Sequence, residues 1–392
     1  MIHRSCWRGA AVRYFFIMKK LRSACGILAL CLAAHNLAAQ QVLGRAVRET
    51  DGSPLAEALV VMLDRAGHEV ARAVTTPSGA FDLRAPAGRY RLRVQRIGQR
   101  RWEAAPFDLA AGQTFKPTFR VPDLPFELGE LSASVQRPNC SVTLGDASVG
   151  AKLLEAAQTA LALAQAEIGK GERSYVTESY RRTVPVVGPT EDSVATEGTL
   201  AGWPIQSADP DSLRLKGFVQ GNWPAPNPMS EHPDLGPTYF APDARVLFTD
   251  WFLGSHCISV ESDSARAAAG RRIVARFKPA KGTGKAAGLE GSLEFDRNSL
   301  SLRALSFEFA ARPRWAPRGT AAGEIRFARL PDGAWLPVDW QMRVPIPKVT
   351  SDGQHYRFFA VLELGGRVTA IRDANGQRDL RAEAALRESE RS

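Results

Sequence analysis

The chain has 392 residues, 44% hydrophobic, 23% charged and 8% aromatic, with 33 Gly and 25 Pro. That balance excludes collagen-like, coiled-coil and wholly disordered chains, and the length allows about two or three domains. The formal charge of +10 invites a nucleic-acid partner, but residues 1–39 hold Arg4, Arg8, Arg13, Lys19, Lys20 and Arg22 and no acid; without them the charge falls to about +4 and a nucleic-acid reading loses its support.

From Met18 the chain reads Lys19-Lys20-Leu21-Arg22, then an apolar run from Ala24 to Ala34, then Leu37-Ala38-Ala39-Gln40. A basic start, an apolar centre and small residues before a cut after Ala39 are the marks of a secretory signal. The run is well short of the ~20 apolar residues of a membrane-spanning helix. Met18 opens a complete signal, so the residues before it read as upstream sequence brought in by an early start codon. A lipoprotein is less favoured, because Ala24 before Cys25 follows Arg22-Ser23 and Cys31 follows Leu30. Cys6, Cys25 and Cys31 fall in the segment expected to be removed. The other two, Cys140 and Cys257, are expected to form one disulfide in an oxidising compartment. The alternative is a reactive thiol at Cys257 beside His256, but neighbours on an extended chain point to opposite faces.

Between Gln41 and Val121 apolar residues alternate and turn formers recur, as in short antiparallel strands of a sandwich. Strands are predicted near 41–48, 58–64, 68–75, 79–84, 88–96, 101–109 and 114–121. In Gly88-Arg89-Tyr90-Arg91-Leu92-Arg93-Val94, Tyr90, Leu92 and Val94 share one face and the arginines the other. Arg91 and Arg93 could hold an anionic glycan or head group, or form a solvated face over the sheet. Trp102 could stack on a sugar, or pack at the edge of the core.

Gly44-x-Ala46-Val47, Asp51-Gly52-x-Pro54-Leu55, Thr75-Thr76-x-x-Gly79-x-Phe81-x-Leu83 and Pro86-x-Gly88-x-Tyr90-x-Leu92-x-Val94 resemble the carboxypeptidase regulatory-like domain. The resemblance implies a seven-strand, transthyretin-like and carbohydrate-binding-like sandwich over residues 40–122. It implies a noncatalytic module and fixes no ligand.

Residues 123–140 read as an extended, Pro-containing linker. A helix is predicted over 150–168, with Leu153, Leu154, Ala157, Leu161, Ala164 and Ile168 at helical spacing and Gly169 and Gly171 behind it. Beyond it come strand candidates at 174–184, 193–201, 245–252, 257–260, 272–278, 288–296, 300–309, 322–330, 335–344, 356–364 and 368–371. Successive hairpins and one long helix imply a curved antiparallel sheet wrapped on that helix, an α+β arrangement. This part is similar to the C-terminal region of exported proteins that carry the same sandwich, and its hairpins resemble lipoprotein-carrier half-barrels in pattern. No activity comes with either likeness. Between the strands lies a Pro- and aromatic-rich insert from Trp203 to Pro242, a candidate ligand surface through Trp203, Trp223 and Tyr239, or a flap packed by its own rings.

The chemistry of an enzyme is hard to assemble. None of the six His is followed three residues later by Glu, and neither His-Glu-x-x-His nor Gly-x-Ser-x-Gly occurs, so zinc-peptidase and common serine-hydrolase motifs are absent. Lys281-Gly282-Thr283-Gly284-Lys285-Ala286 lacks the Gly spacing and hydroxyl of a phosphate loop. A glycosidase needs only two carboxylates, and Asp243, Asp250 and Glu261 lie near the aromatics. The expected architecture is therefore mainly β: signal to 39, sandwich 40–122, linker 123–140, a β-rich domain 141–371 and a polar tail 372–392. The expected role is a noncatalytic exported, periplasmic or envelope protein binding a glycan, lipid or envelope-protein partner. No cofactor, metal, nucleic acid or transmembrane span is expected in the mature chain. The alternative is an envelope hydrolase with its site near 203–257.

Overall fold

The computed structural model describes residues 40–125, 134–135, 144–145, 147–169, 173–192, 195–223, 236–262, 272–283, 288–330, 334–374 and 376–380. The signal segment, Cys140, most of the linker, the centre of the aromatic insert and the end of the polar tail lie outside them. The protein is mainly β, as its alternating pattern predicts.

The first domain pairs two sheets. One holds β1 (Gln40–Arg48) between β4 (Ala80–Ala85) and the short β8 (Thr114–Phe115) and β9 (Thr118–Val121). The other runs β3 (Glu69–Val74), β2 (Leu59–Leu63), β5 (Gly88–Gln95) and β6 (Trp102–Glu103), with β7 (Phe107–Leu109) also on β5. The last two predicted strands are each split, at Pro106 and Pro117, where proline supplies no N–H to a ladder. Val42, Ala46 and Leu83 of one sheet meet Val60, Met62 and Leu92 of the other. Thr75 ties the chain entering β2 to the core: its hydroxyl accepts from Ala58 N at 2.9 Å and donates to Leu55 O at 2.6 Å.

All five residues of β2 are buried, where a half-wet strand would alternate. The cause is the long helix. After β10 (Ser134–Val135) and β11 (Leu144–Gly145) comes α1 (Ala147–Gly169), three residues longer at its start than predicted. Leu153, Ala157, Leu161 and Ala164 face the second domain. Leu163, two residues and so about 200° round from Leu161, packs instead with Leu59, Val61 and Leu63 of the sandwich. The Ala-rich breadth of α1 thus serves two interfaces. Ion pairs join the domains around it, Arg101 to Glu155 at 3.7 Å and Arg329 to Glu57.

The second domain is one large antiparallel sheet. Seven strands follow one another as a meander: β17 (His256–Ser262), β18 (Arg272–Pro279), β19 (Leu289–Asp296), β20 (Leu302–Phe309), β21 (Ala322–Arg329), β22 (Trp335–Val349) and β23 (Tyr356–Asp373). The earlier β12 (Ser174–Pro185) joins at β23, flanked by β13 (Glu191–Asp192) and β14 (Thr196–Thr199), and β24 (Gly376–Asp379) also pairs with β23. The two late strands predicted at 356–364 and 368–371 are one. Gly365 and Gly366, which read as a break, lie inside β23 opposite rings: Tyr180 pairs with Gly365 and Trp340 with Gly366. The same pairing sets Phe277 opposite Gly291 and Phe307 opposite Gly323. Phe277, Phe307 and Trp340 lay their rings over glycine on the inner, core side of the sheet, and Tyr180 does so on the other face.

The insert contributes α2 (Pro210–Lys216), the short pair β15 (Val219–Gln220) and β16 (Thr238–Tyr239), then α3 (Ala244–Leu247) and α4 (Asp250–Ser255). The strand predicted over 245–252 is therefore two short helices. Both carry their own start signal: Asp243 accepts from Arg245 N and Val246 N, and Thr249 accepts from Phe252 N. Caps of that kind outweigh the β-like composition of the segment.

Candidate functional site

The insert meets the sheet beside β12, β22 and β23, leaving a groove of about 490 Å³, within the size range of small-molecule sites. Its floor is Trp340, Met342 and Val344 of β22 with Leu362 and Leu364 of β23, and Ile205 and Tyr239 close it from the insert. Met342 faces Leu364 and Val344 faces Leu362 across the ladder, so the apolar side chains form two adjoining rows. Leu364 is 39% exposed at the mouth of the groove. No Asp, Glu, His, Lys or Arg is among the lining residues.

Tyr239 is buried, its ring edge-on to Phe309 at 5.2 Å. Burial pushes its phenol up to about 12, with the neighbouring Trp223 indole offsetting part of the effect, so it stays a neutral group at the groove wall. Trp203 is half-buried against Phe327, with centroids 6.1 Å apart. Trp223, behind Tyr239, joins Trp315 at 5.6 Å and Tyr356 at 6.3 Å. The three aromatics singled out in the insert are thus spread over a groove wall, a core edge and a ring cluster behind that wall.

The groups of the hydrolase alternative have structural work. Asp243 is 1% exposed, caps α3 and holds the Arg245 guanidinium at 2.8 Å. Asp250 sits in the first turn of α4, and the Glu261 side chain lies outside the described residues. His256 is fully buried and stacked on Phe252 at 3.8 Å. Its Nδ1 lies 2.9 Å from Phe252 O and its Nε2 3.0 Å from Leu289 O, so both nitrogens face the main chain. Burial holds its pKa below the usual histidine value despite those carbonyls. As a neutral ring it donates through one nitrogen only; with Nε2–H donating to Leu289 O of β19, Nδ1 is left to accept from Ser255 Oγ of α4 at 3.0 Å. No group of three His, Cys, Asp or Glu that could hold a metal occurs among the described residues.

Comparison with known proteins bears on the first domain. The family model of the carboxypeptidase regulatory-like domain matches residues 41–122. Those residues form a carboxypeptidase regulatory-like domain. No curated protein matches the chain. Similar solved structures include a 5-hydroxyisourate hydrolase from Klebsiella pneumoniae, 18% identical over 21% of this chain and 85% of that one, at a TM-score of 0.18. A minor pilin from Streptococcus agalactiae is 16% identical over 23% of this chain and 46% of that one, with a TM-score of 0.18. A LolA superfamily protein from Nitrosomonas europaea is 12% identical over 54% of this chain and 93% of that one, with a TM-score of 0.22. Likenesses at this level carry no functional argument.

On the regulatory-like domain, the arginine row is neutralised from the next strands. Glu103 takes Arg93 at 2.8 Å and Arg91 at 3.4 Å, and Asp108 takes Arg89 at 3.6 Å. Trp102 lies edge-on to Phe119 at 6.4 Å, at the margin of the sandwich core. The groove residues Met342, Val344, Leu362 and Leu364 had no separate signal in the sequence. Their alternation is the same as that of the covered strands, and only the place where the insert stops covering the sheet distinguishes them.

Proposed function

We propose that this is a noncatalytic exported protein of the cell envelope or medium, and that its second domain holds the apolar part of a ligand in the groove under Tyr239. Of the glycan, lipid and protein partners that the sequence leaves open, a lipid acyl chain fits best. The observation that carries this is the groove's lining: two rows of aliphatic side chains without a charged group. Ser179, Tyr180, Gln206 and Thr238 also line the groove and could hydrogen-bond the polar end of such a ligand, while a hydrolytic mechanism would find no acid–base pair. The protein is expected to bind an environment-sensitive apolar fluorophore that long-chain fatty acids displace and neutral oligosaccharides do not. Leu364→Asp places a charge beside Met342 and should weaken that binding about tenfold or more. Oligosaccharide competition, or turnover of generic esters or glycosides above the uncatalysed rate, would replace this reading.

The first described strand starts at Gln40, itself buried, directly after the predicted cut, so removal of residues 1–39 leaves β1 whole. No helix among the described residues is long and apolar enough to cross a membrane. A Cys140–Cys257 bridge is part of the same proposal. Cys257 is buried at the start of β17, and β11, four residues after Cys140, lies beside that strand. Closing a loop of over a hundred residues would contribute about 4 to 5 kcal/mol in the chain-entropy account. Nonreducing peptide mapping of exported protein should find the linked pair and an N-terminus at Gln40; two free thiols would remove the bridge, and an intact Met1 or Met18 the export signal.

A further inference from the structure

Beyond the groove, β12, β22 and β23 run on together as an arm, and their far end differs from the rest of the surface. The turn after β12 is Pro185-Val186-Val187-Gly188-Pro189, in which Val186 is 61% and Val187 87% exposed. The turn is held in place, since Val186 N donates to Phe359 O of β23 at 2.9 Å. At the same end Tyr356, the first residue of β23, meets Trp315 at 6.4 Å and Trp223 at 6.3 Å. Trp315 comes from the Arg312–Arg318 loop between β20 and β21, which Arg312 fixes by donating to Ala316 O at 2.6 Å. Four cations lie on the same loop and strand ends. Arg314, Arg318, Lys348 and Arg357 form no ion pair among the described residues, and Lys348 lies 5.6 Å from the centre of the Phe359 ring. Arg318 lines a cavity with Glu290, Glu308 and Glu324, where Arg276, Lys278 and Arg343 keep the cations in excess. Glu308 is occupied by Gly319 N at 2.7 Å, Asp352 by Thr350 Oγ1 and Gln354 N, and Glu191 and Asp192 lie on β13 beyond β12.

We propose that this end of the arm docks on an anionic lipid bilayer, with Val186 and Val187 entering the interface and Arg314, Arg318, Lys348 and Arg357 at head-group level. Successive residues at a tight tip cannot both face one flat partner, whereas a bilayer surrounds the tip and covers both. Trp and Tyr rings favour the zone between acyl chains and water, and cations there gain from anionic head groups. This inference stands apart from the groove, with which it shares none of its deciding residues.

The test uses the chain from Gln40 onward, which contains every described residue, so that the apolar signal segment does not itself bind lipid. Sedimentation with vesicles of phosphatidylcholine alone, and of phosphatidylcholine with about a third phosphatidylglycerol, reads the partition. Binding is expected to the anionic vesicles and to fall with salt. Val186→Ser with Val187→Ser should weaken it about tenfold, and Arg314→Gln with Arg318→Gln about fivefold for each cation removed, with melting temperatures unchanged in both. Absence of binding to anionic vesicles, or binding indifferent to either pair, overturns the proposal. So does equally tight binding of a soluble polyanion such as dextran sulfate that the serine pair leaves untouched, because the patch would then be an anionic-glycan site.

Discussion

Leu163→Asp is expected to split the thermal unfolding of the protein into two transitions and to expose apolar surface before the second. Leu163 is 5% exposed and lies among Leu59, Val61 and Leu63, which form the outer row of β2. A carboxylate there is desolvated among these side chains, and the two cations that border the same small cavity, Arg96 and Arg329, are already held by Asp123 and Glu57, so it must draw one of them away or push the interface open, at a cost of about 3 kcal/mol or more. The opposite face of α1, with Leu153, Leu161 and Ala164 in the second core, is untouched by the change. The second domain should therefore keep its transition while the sandwich melts separately and earlier. Differential scanning calorimetry with a dye for exposed apolar surface reads both. A single transition lowered as a unit would mean that the two domains unfold together whatever α1 does. The same geometry bears on the sandwich alone: a chain of residues 40–123 has its own core but presents Leu59, Val61 and Leu63 to water. It should fold with reduced stability and associate, and Leu59→Lys with Val61→Thr should restore a soluble monomer.

Much of this architecture is legible in the sequence because local chemistry and tertiary packing agree there. Tyr90, Leu92 and Val94 alternate with arginines and are the inner row of β5. The helical spacing of Leu153, Ala157, Leu161 and Ala164 likewise marks one buried face of α1. The second face, through Leu163, was hidden because the alanines beside it, at 162 and 166, carry too little bulk to mark a direction. The segment 245–252 misled for another reason. Val246, Leu247, Phe248 and Trp251 suit a strand by composition, but Asp243 and Thr249 offer caps six residues apart, and two short helices bury the same side chains. The groove was illegible because a site is a place where covering stops, and no residue type announces that. The candidate residues that did stand out, Trp203, Trp223, Trp102, Arg91 and Arg93, were conspicuous by chemistry, and packing or ion pairs employ each of them.

Gly291→Val is expected to be among the most damaging single changes in the second domain. Gly291 stands in β19 between two phenylalanines of the neighbouring ladders, Phe277 of β18 and Phe307 of β20. A Cβ at this position would lie 2.1 Å from Ser306 O, 2.6 Å from the Phe277 ring and 2.9 Å from Phe307 Cα. A ring could rotate away, but two of those atoms are main chain of a paired strand, and they move only if the β19–β20 ladder opens. Ordinary overpacking costs about 1 to 3 kcal/mol because side chains share the strain; here the backbone must yield, so the loss should reach or exceed the top of that range. Gly112→Val is not a fair control, because Gly112 has a φ of +71° and would add backbone strain of its own. Gly169→Ala at the end of α1 is one, since nothing lies within 4 Å of its Cβ position; it should leave the melting curve near wild type. Between these two, Gly323→Ala tests whether the ring alone matters, because the three atoms nearest its Cβ all belong to the Phe307 ring, the closest at 2.3 Å. If bending around α1 depends on rings laid over glycine, Gly323→Ala should cost less than Gly291→Val and be partly rescued by Phe307→Leu, while Gly291→Val should resist rescue by Phe277→Leu. Equal rescue at both sites would show that the close approach of the β19 and β20 main chains is not what requires glycine at 291.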